Sequence, residues 1–151
     1  MTDTWGMAEM VKQLIPEEAV RLYVYDDATG QAIRAGTVCR GNPTIGIGRN
    51  LAANGISAAE ADLMCVNDIN RVAADLDNRL SWWRKLSPVR QRQILDLAFN
   101  MGVGGLLNFT HFLAAMQAGH WPDAVAELQE SHWWQEVGTR GPAIADRILT
   151  G

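Results

Sequence analysis

Apolar residues at Ala61, Cys65, Ile69, Val72, Leu76 and Leu80 recur at three- and four-residue steps, which predicts one long amphipathic helix over about 58–80. Its start is marked by Ser57-Ala-Ala-Glu60, a capping box in which hydroxyl and carboxylate satisfy the free amides of a first turn. A second amphipathic helix is predicted from about Trp5 to Ile15. Pro16 should stop it, because proline disfavours helical geometry in the residue before it, and Glu18 then sits just beyond the helix end. Between these helices the period changes. Val20, Leu22 and Val24 alternate as in a half-buried strand, carrying the chain from Glu18 to Asp27. Thr37-Val38-Cys39 and Thr44-Ile45 also suit strands, punctuated by Gly30, Gly36, Gly41 with Asn42-Pro43, and Gly46, so a small antiparallel meander is predicted as the only sheet.

Downstream the pattern is helical. Ser87-Pro88 supplies a cap and a first-turn proline, and the nearly apolar run from Ile94 to Met101 predicts a central buried helix. Gly102, Gly104 and Gly105 should break it, Gly119 should end the next helix, and Pro122 should open another. Trp82-Trp83 and Trp133-Trp134 suit core packing better than sugar stacking. No repeat, low-complexity tract or linker marks a second domain. The predicted class is therefore α+β and mostly helical.

Composition adds bounds. A chain of 151 residues fits one domain that buries roughly two thirds of the surface its unfolded chain exposes. The formal charge of -4 argues against general nucleic-acid binding. Asp3, Glu9, Lys12, Glu17 and Glu18 interrupt the first twenty residues, so neither a secretory signal nor stable membrane insertion is expected. Cys39 and Cys65 are expected as reduced, buried small groups. His111, His120 and His132 have no ligand spacing among themselves or with the cysteines, so no metal or cofactor is expected. Arg84, Lys85, Arg90 and Arg92 read as a solvated face.

The segment with chemistry runs from Glu18 to Arg49. Glu18, Asp27 and Thr44 bring an acid, a second carboxylate and a hydroxyl into one short stretch. Hydrolysing an acetal needs a proton for the leaving oxygen and an activated water or nucleophile at the sugar carbon, which two carboxyl groups in different environments can supply. Glu17 and Asp26 are acidic too, but the nine-residue step and the Asp27-x-x-Gly30 turn select Glu18 and Asp27. Gly46-Ile47-Gly48 lacks the context of a phosphate loop and suits close approach of backbone and substrate.

Glu18 to Asp27, the Asp27-Ala28-Thr29-Gly30 turn and Thr44-Ile45-Gly46-Ile47-Gly48 resemble the phage-type lysozymes of glycoside hydrolase family 24. Phe99-Asn100-Met101-Gly102, Asn108-Phe109-Thr110, and Ser131-His132-Trp133-Trp134 followed by Arg140 extend the resemblance to roughly residues 10 to 151. It implies a lysozyme-like fold with a smaller sheet-bearing lobe over about 16–60, a connecting helix over about 58–80, and a helical lobe over about 81–151 joined by the N-terminal helix. It also implies cleavage of the β-1,4 bond between N-acetylmuramic acid and N-acetylglucosamine in peptidoglycan. Glu18 would be the general acid in a cleft between the lobes, and ionised Asp27 with Thr44 would position water for inversion. Asn100 would contact substrate and Arg140 would support Glu18. The expected setting is a monomeric endolysin, held in the host cytoplasm until a holin releases it and the cell lyses.

Three departures from the family pattern stand out. Ala19 replaces the glycine usual after the catalytic glutamate, and the connection between Asp27 and Thr44 is longer by about eleven residues. Arg49 replaces a histidine that in the T-even phage enzymes pairs with an aspartate on the long helix, so Arg49 and Asp68 are expected to pair. A lytic transglycosylase would need only one carboxylic acid, and a degenerate wall-binding module would need none of the three residues. A virion spike bearing a lysozyme domain is the remaining alternative.

Overall fold

Helix α1, Met7–Glu18, runs through Pro16 instead of stopping there, in the computed structural model, which describes residues 6–151. Trp5, the predicted first residue of this helix, lies outside the described residues. Pro16 removes one helical donor, but its turn is exposed and water can satisfy the carbonyl left open, so the break falls later. It falls at Ala19, whose N–H donates to the Ile15 carbonyl at 3.0 Å while its backbone adopts φ 57 and ψ 150. Glu18 is thus the last helical residue.

Three strands follow: β1, Arg21–Asp26; β2, Pro43–Gly46; and β3, Arg49–Asn50. They form an antiparallel sheet in the order β1-β2-β3, with Tyr25 opposite Thr44 and Thr44 opposite Asn50. The alternation within β1 does not bury a face, since Leu22 is 78% exposed. Nor is Thr37-Val38-Cys39 a strand. The longer connection instead folds along the free edge of β1: Ile33 N–H donates to the Val24 carbonyl, Asp26 N–H donates to the Gln31 carbonyl, and Ala32 bridges Tyr25. Pairing this edge with its own loop satisfies backbone groups that an open strand would present to another chain.

Helix α2, Leu51–Asn54, is capped by Asn50, whose side chain accepts from Ala53 N–H at 3.0 Å. Ser57 and Glu60 form the predicted capping box: Ser57 N–H donates to Glu60 Oε2 at 2.7 Å and Glu60 N–H to Ser57 Oγ at 3.2 Å. Helix α3, Ala58–Arg79, follows for 22 residues. Only the later part of its stripe reaches the core. Leu76 and Leu80 are buried and Val72 packs against them, whereas Ile69 and Cys65 are exposed. The expectation of two buried thiols therefore fails at Cys65. Cys39 is half-buried, and its thiol donates to the Gly41 carbonyl at 3.3 Å.

The chain divides into two compact units, Met1–Ala61 and Asp62–Gly151. In the second, a 3-10 turn at Trp83–Lys85 leads into α4, Pro88–Leu107, with Ser87 as the cap. Gly102, at φ 78 and ψ 153, kinks α4 where the glycine cluster predicts a break. Helices α5, Thr110–Ala118; α6, Trp121–Gln129; α7, His132–Glu136; and α8, Arg140–Thr150 complete the unit. Gly119 ends α5 in the left-handed conformation and Pro122 lies in the first turn of α6, both as predicted. Helices α4, α6 and α8 pack around Ile94, Leu97, Leu106, Leu128, Ile144 and Ile148, all fully buried. Trp83 is also fully buried and Trp133 is 7% exposed, so both tryptophan pairs contribute to the core. Among the described residues no helix is long and apolar enough to cross a membrane.

Candidate active site

Glu18 ends α1 with its carboxylate against the turn between β2 and β3. A Cβ placed on Gly48 would stand 2.8 Å from Glu18 Oε2, and Gly48 itself has φ +69. The positive φ favours glycine there, and a Cβ would make the flexible end of the Glu18 side chain shift. Gly48 thus approaches Glu18, whereas the sequence predicts that the glycine pair approaches substrate. Apart from that contact, Glu18 is exposed within its unit.

Asp26 and Asp27 are adjacent, yet they serve different ends. Asp26, only 2% exposed, accepts from Ala28 N–H, Arg40 N–H and Gly41 N–H at 3.0, 2.7 and 2.9 Å. The bond from the Arg40 amide is the leading influence holding its carboxyl below the ordinary aspartate range, against the opposing effect of burial. Asp26 is therefore the anchor of the enlarged loop. The spacing that selects Asp27 over Asp26 gives no sign of this anchoring role.

Asp27 remains at the surface. Its N–H donates to the Asn42 carbonyl at 3.1 Å, and its side chain accepts twice from the same residue: Asn42 N–H to Oδ1 at 2.7 Å and Asn42 Nδ2 to Oδ2 at 3.1 Å. The Asn42 backbone amide, then its side-chain amide, hold the Asp27 carboxyl below its usual range, while partial desolvation and the Asp26 charge oppose them. Gly41 closes the other side, since a Cβ there would fall 2.1 Å from Asp27 Oδ1.

Thr44 lies in the middle strand and is 4% exposed. Its hydroxyl donates to the Asn42 carbonyl at 3.2 Å. A carbonyl can only accept, so the threonine hydrogen is committed and the oxygen keeps its acceptor capacity. Asp27 and Thr44 are thus both tied to Asn42. Composition and spacing do not reveal this residue: an asparagine between Gly41 and Pro43 reads as turn chemistry, and its two bonds to Asp27 exist only after the loop has folded back.

The family model for phage lysozyme matches residues 16–147, most of the chain and all of the segment just described. The chain belongs to the phage lysozyme family. It is 30% identical over 163 aligned positions to the pre-baseplate central spike protein Gp5 of Enterobacteria phage T4, a match covering 97% of this chain and 28% of that protein. It is 22% identical over 99 positions to a probable T4-type lysozyme 1 of Dictyostelium discoideum, covering 64% of this chain and 58% of that one. The chain thus spans less than two thirds of the length of either relative.

Two candidates of this phage lysozyme chain belong to the C-terminal unit, and each has a partner there. Asn100 Oδ1 accepts from the indole N–H of Trp133 at 2.7 Å, so one side of its amide holds a core tryptophan in place. Arg140 donates through Nε to Asp96 Oδ1 at 2.8 Å, and its Nη2 reaches the same oxygen. The pair borders an apolar recess of about 400 Å³ lined by Ile69, Leu95 and Phe99. Among the described residues no cluster of His, Cys, Asp and Glu side chains suits a metal ion.

Arg49 and Asp68, expected as a pair, each have a partner within their own unit. Arg49 reaches Glu60 Oε1 at 3.1 Å and donates to the Gly55 carbonyl at 2.8 Å. Asp68 bonds Arg71 at 2.8 Å, three residues along its own helix. The capping box already fixes the Glu60 carboxylate that Arg49 meets. The tie between hairpin and α3 therefore exists, made in the first helical turn.

Proposed function

We propose that this phage lysozyme family member hydrolyses the β-1,4 bond between N-acetylmuramic acid and N-acetylglucosamine in bacterial peptidoglycan, with inversion at the anomeric carbon. Glu18 donates a proton to the leaving glycosidic oxygen. Asp27, ionised, stabilises the oxocarbenium-like transition state and with Thr44 positions the attacking water.

The observation that carries this reading is the shared attachment of Asp27 and Thr44 to Asn42. With the threonine hydrogen committed to a carbonyl, both groups are acceptors toward a water. Such a water gives one hydrogen to each and turns a lone pair to the sugar carbon. That arrangement favours direct attack by water over attack by Asp27 itself, which would have less use for the threonine. Asn100 and Arg140 are assigned as supporting residues on the C-terminal unit, with monomeric action on the wall and release by a holin as the biological setting.

Digestion of purified peptidoglycan followed by mass spectrometry of the new chain ends tests the reaction. Reducing N-acetylmuramic acid ends are expected. Anhydro-sugar ends would assign a lytic transglycosylase, and no new ends a wall-binding module. Early-time NMR on a soluble glycan fragment tests the stereochemistry: the α-anomer should form first from the β-linked substrate, and first-formed β product would refute the water-positioning role of Thr44.

A second setting has its own support. A 30% identity to a phage central spike protein, in a match covering 97% of this chain, favours carriage on the virion, where the same chemistry would act locally during entry. Immunodetection on purified particles separates the two settings, since a free lysis enzyme is absent from them.

A further inference from the structure

We propose that Asn42 is the positioning residue of the Asp27 carboxylate, and that the enlarged connection after Asp27 serves to deliver it. The inference rests on the assignment of Asp27 above and gives the hairpin extension a role in that same site.

Three features of the fold support it. First, one residue holds both oxygens of the carboxylate: the Asn42 backbone N–H takes Oδ1 and its side-chain amide takes Oδ2. Two donors on one rigid residue set the rotation of the carboxylate plane as well as its position, while each oxygen keeps a further lone pair for water or substrate. Second, Asn42 also receives the Thr44 hydroxyl and the Asp27 N–H on its carbonyl, so displacement of this residue would move both water-positioning groups. Third, the preceding loop is pinned where it needs to be. Asp26 takes the amides of Arg40 and Gly41, the two residues before Asn42, and Gly41 has no side chain to obstruct Asp27. The extension leaves the site after Asp27, covers the free edge of β1, and returns Arg40 to Asn42 onto the paired aspartates.

The electrostatic consequence has a definite sign. Asp26, adjacent in the chain, and the Cys39 thiol, from the returning loop, are titratable groups facing Asp27. The Asp26 charge opposes ionisation of Asp27, and the Asn42 donors offset it. Removing the side-chain donor should therefore raise the Asp27 pKa, and activity should fall away at a higher pH on the acidic side.

The test uses Asn42→Ala and the near-isosteric Asn42→Asp, with Asp27→Asn in parallel, each assayed for kcat and KM on a soluble glycan fragment across pH. Loss of one charge-assisted hydrogen bond should lower kcat roughly 10- to 100-fold with little change in KM. The acidic limb should move up by about one pH unit, further in Asn42→Asp than in Asn42→Ala. A merely structural role would lower the melting temperature without moving that limb. Should Asn42→Ala fail to fold, Asn42→Asp and a carbon-13 titration of the Asp27 carboxyl give the same readout. A folded variant with wild-type kcat and an unmoved limb overturns the inference, provided Asp27→Asn is inactive. If Asp27→Asn retains activity, the assignment of Asp27 itself has failed and this inference falls with it.

Discussion

In the C-terminal unit the buried residues are almost all apolar, among them Leu76, Trp83, Leu97, Phe112, Met116 and Ile148, whereas the two buried residues described in the N-terminal unit are Asp26 and Thr44. Apolar burial contributes about 1.5–3 kcal/mol per large side chain and tolerates modest changes of shape. A buried carboxylate instead depends on individual donors, and each must stand in its place. The unit carrying Glu18, Asp27 and Thr44 is therefore held by direction more than by volume. This teaches that stability and activity should separate by region: small losses of volume will weaken one unit, while single lost hydrogen bonds or glycines will disturb the proposed site in the other.

The largest expected effect lies in the chemistry. Glu18→Gln should lower kcat on the order of 10²- to 10⁴-fold, because the amide keeps the shape but cannot donate the proton. Glu18 is exposed at a helix end, so thermal melting followed by circular dichroism should be almost unchanged. A retained rate would remove Glu18 from the site.

Next comes the opposite case, Leu97→Ala. Leu97 is fully buried, and truncation should cost about 2–5 kcal/mol in denaturant unfolding while kcat at a permissive temperature stays close to wild type. Equal damage to kcat would end the regional separation.

Ala19 offers a gain. Its positive φ, with ψ 150, belongs to a region that suits glycine, and the family's usual glycine would relax it. Ala19→Gly should stabilise the protein by about 1 kcal/mol or more, measured as a higher denaturation midpoint. A lower midpoint would mean that the extra freedom of glycine in the unfolded chain outweighs the strain.

Acid should sharpen the comparison further. Asp26 and Asp27 both have depressed folded pKa values, so their stabilising contribution is present above the unfolded value and is lost as pH falls through the folded one. Hydrogen exchange should show the loop from 28 to 42 losing protection before α4 as the pH falls through that window, and Asp26→Asn should bring the loss on at neutral pH. Simultaneous loss in both regions would show that the aspartates do not govern the hairpin separately.

The smallest effect belongs to the exposed Arg49–Glu60 pair. A double-mutant cycle should give a weak coupling that fades with added salt. A coupling of zero would remove this pair as a tie between the hairpin and the first turn of α3.

Much of this was legible in the residue order, because it depended on neighbours in the chain. A capping box needs residues three positions apart, a proline first turn or glycine stop needs one, and an amphipathic stripe needs only the helical period; Ser57, Ser87, Gly102 and Gly119 all behave as their spacing predicts. The family was likewise legible in local order, which is also what proposes Glu18, Asp27 and Thr44 as candidates. What only the folded chain decided involves residues brought together by loop return. Asp26 became a buried anchor because Arg40 and Gly41 came back to it, fourteen and fifteen positions along. Asn42 became the holder of Asp27, and Glu60 met Arg49 eleven positions along. Local pattern fixes backbone conformation through sterics and short-range hydrogen bonds, but a carboxylate takes whichever donor tertiary folding presents, and sequence separation does not rank those donors.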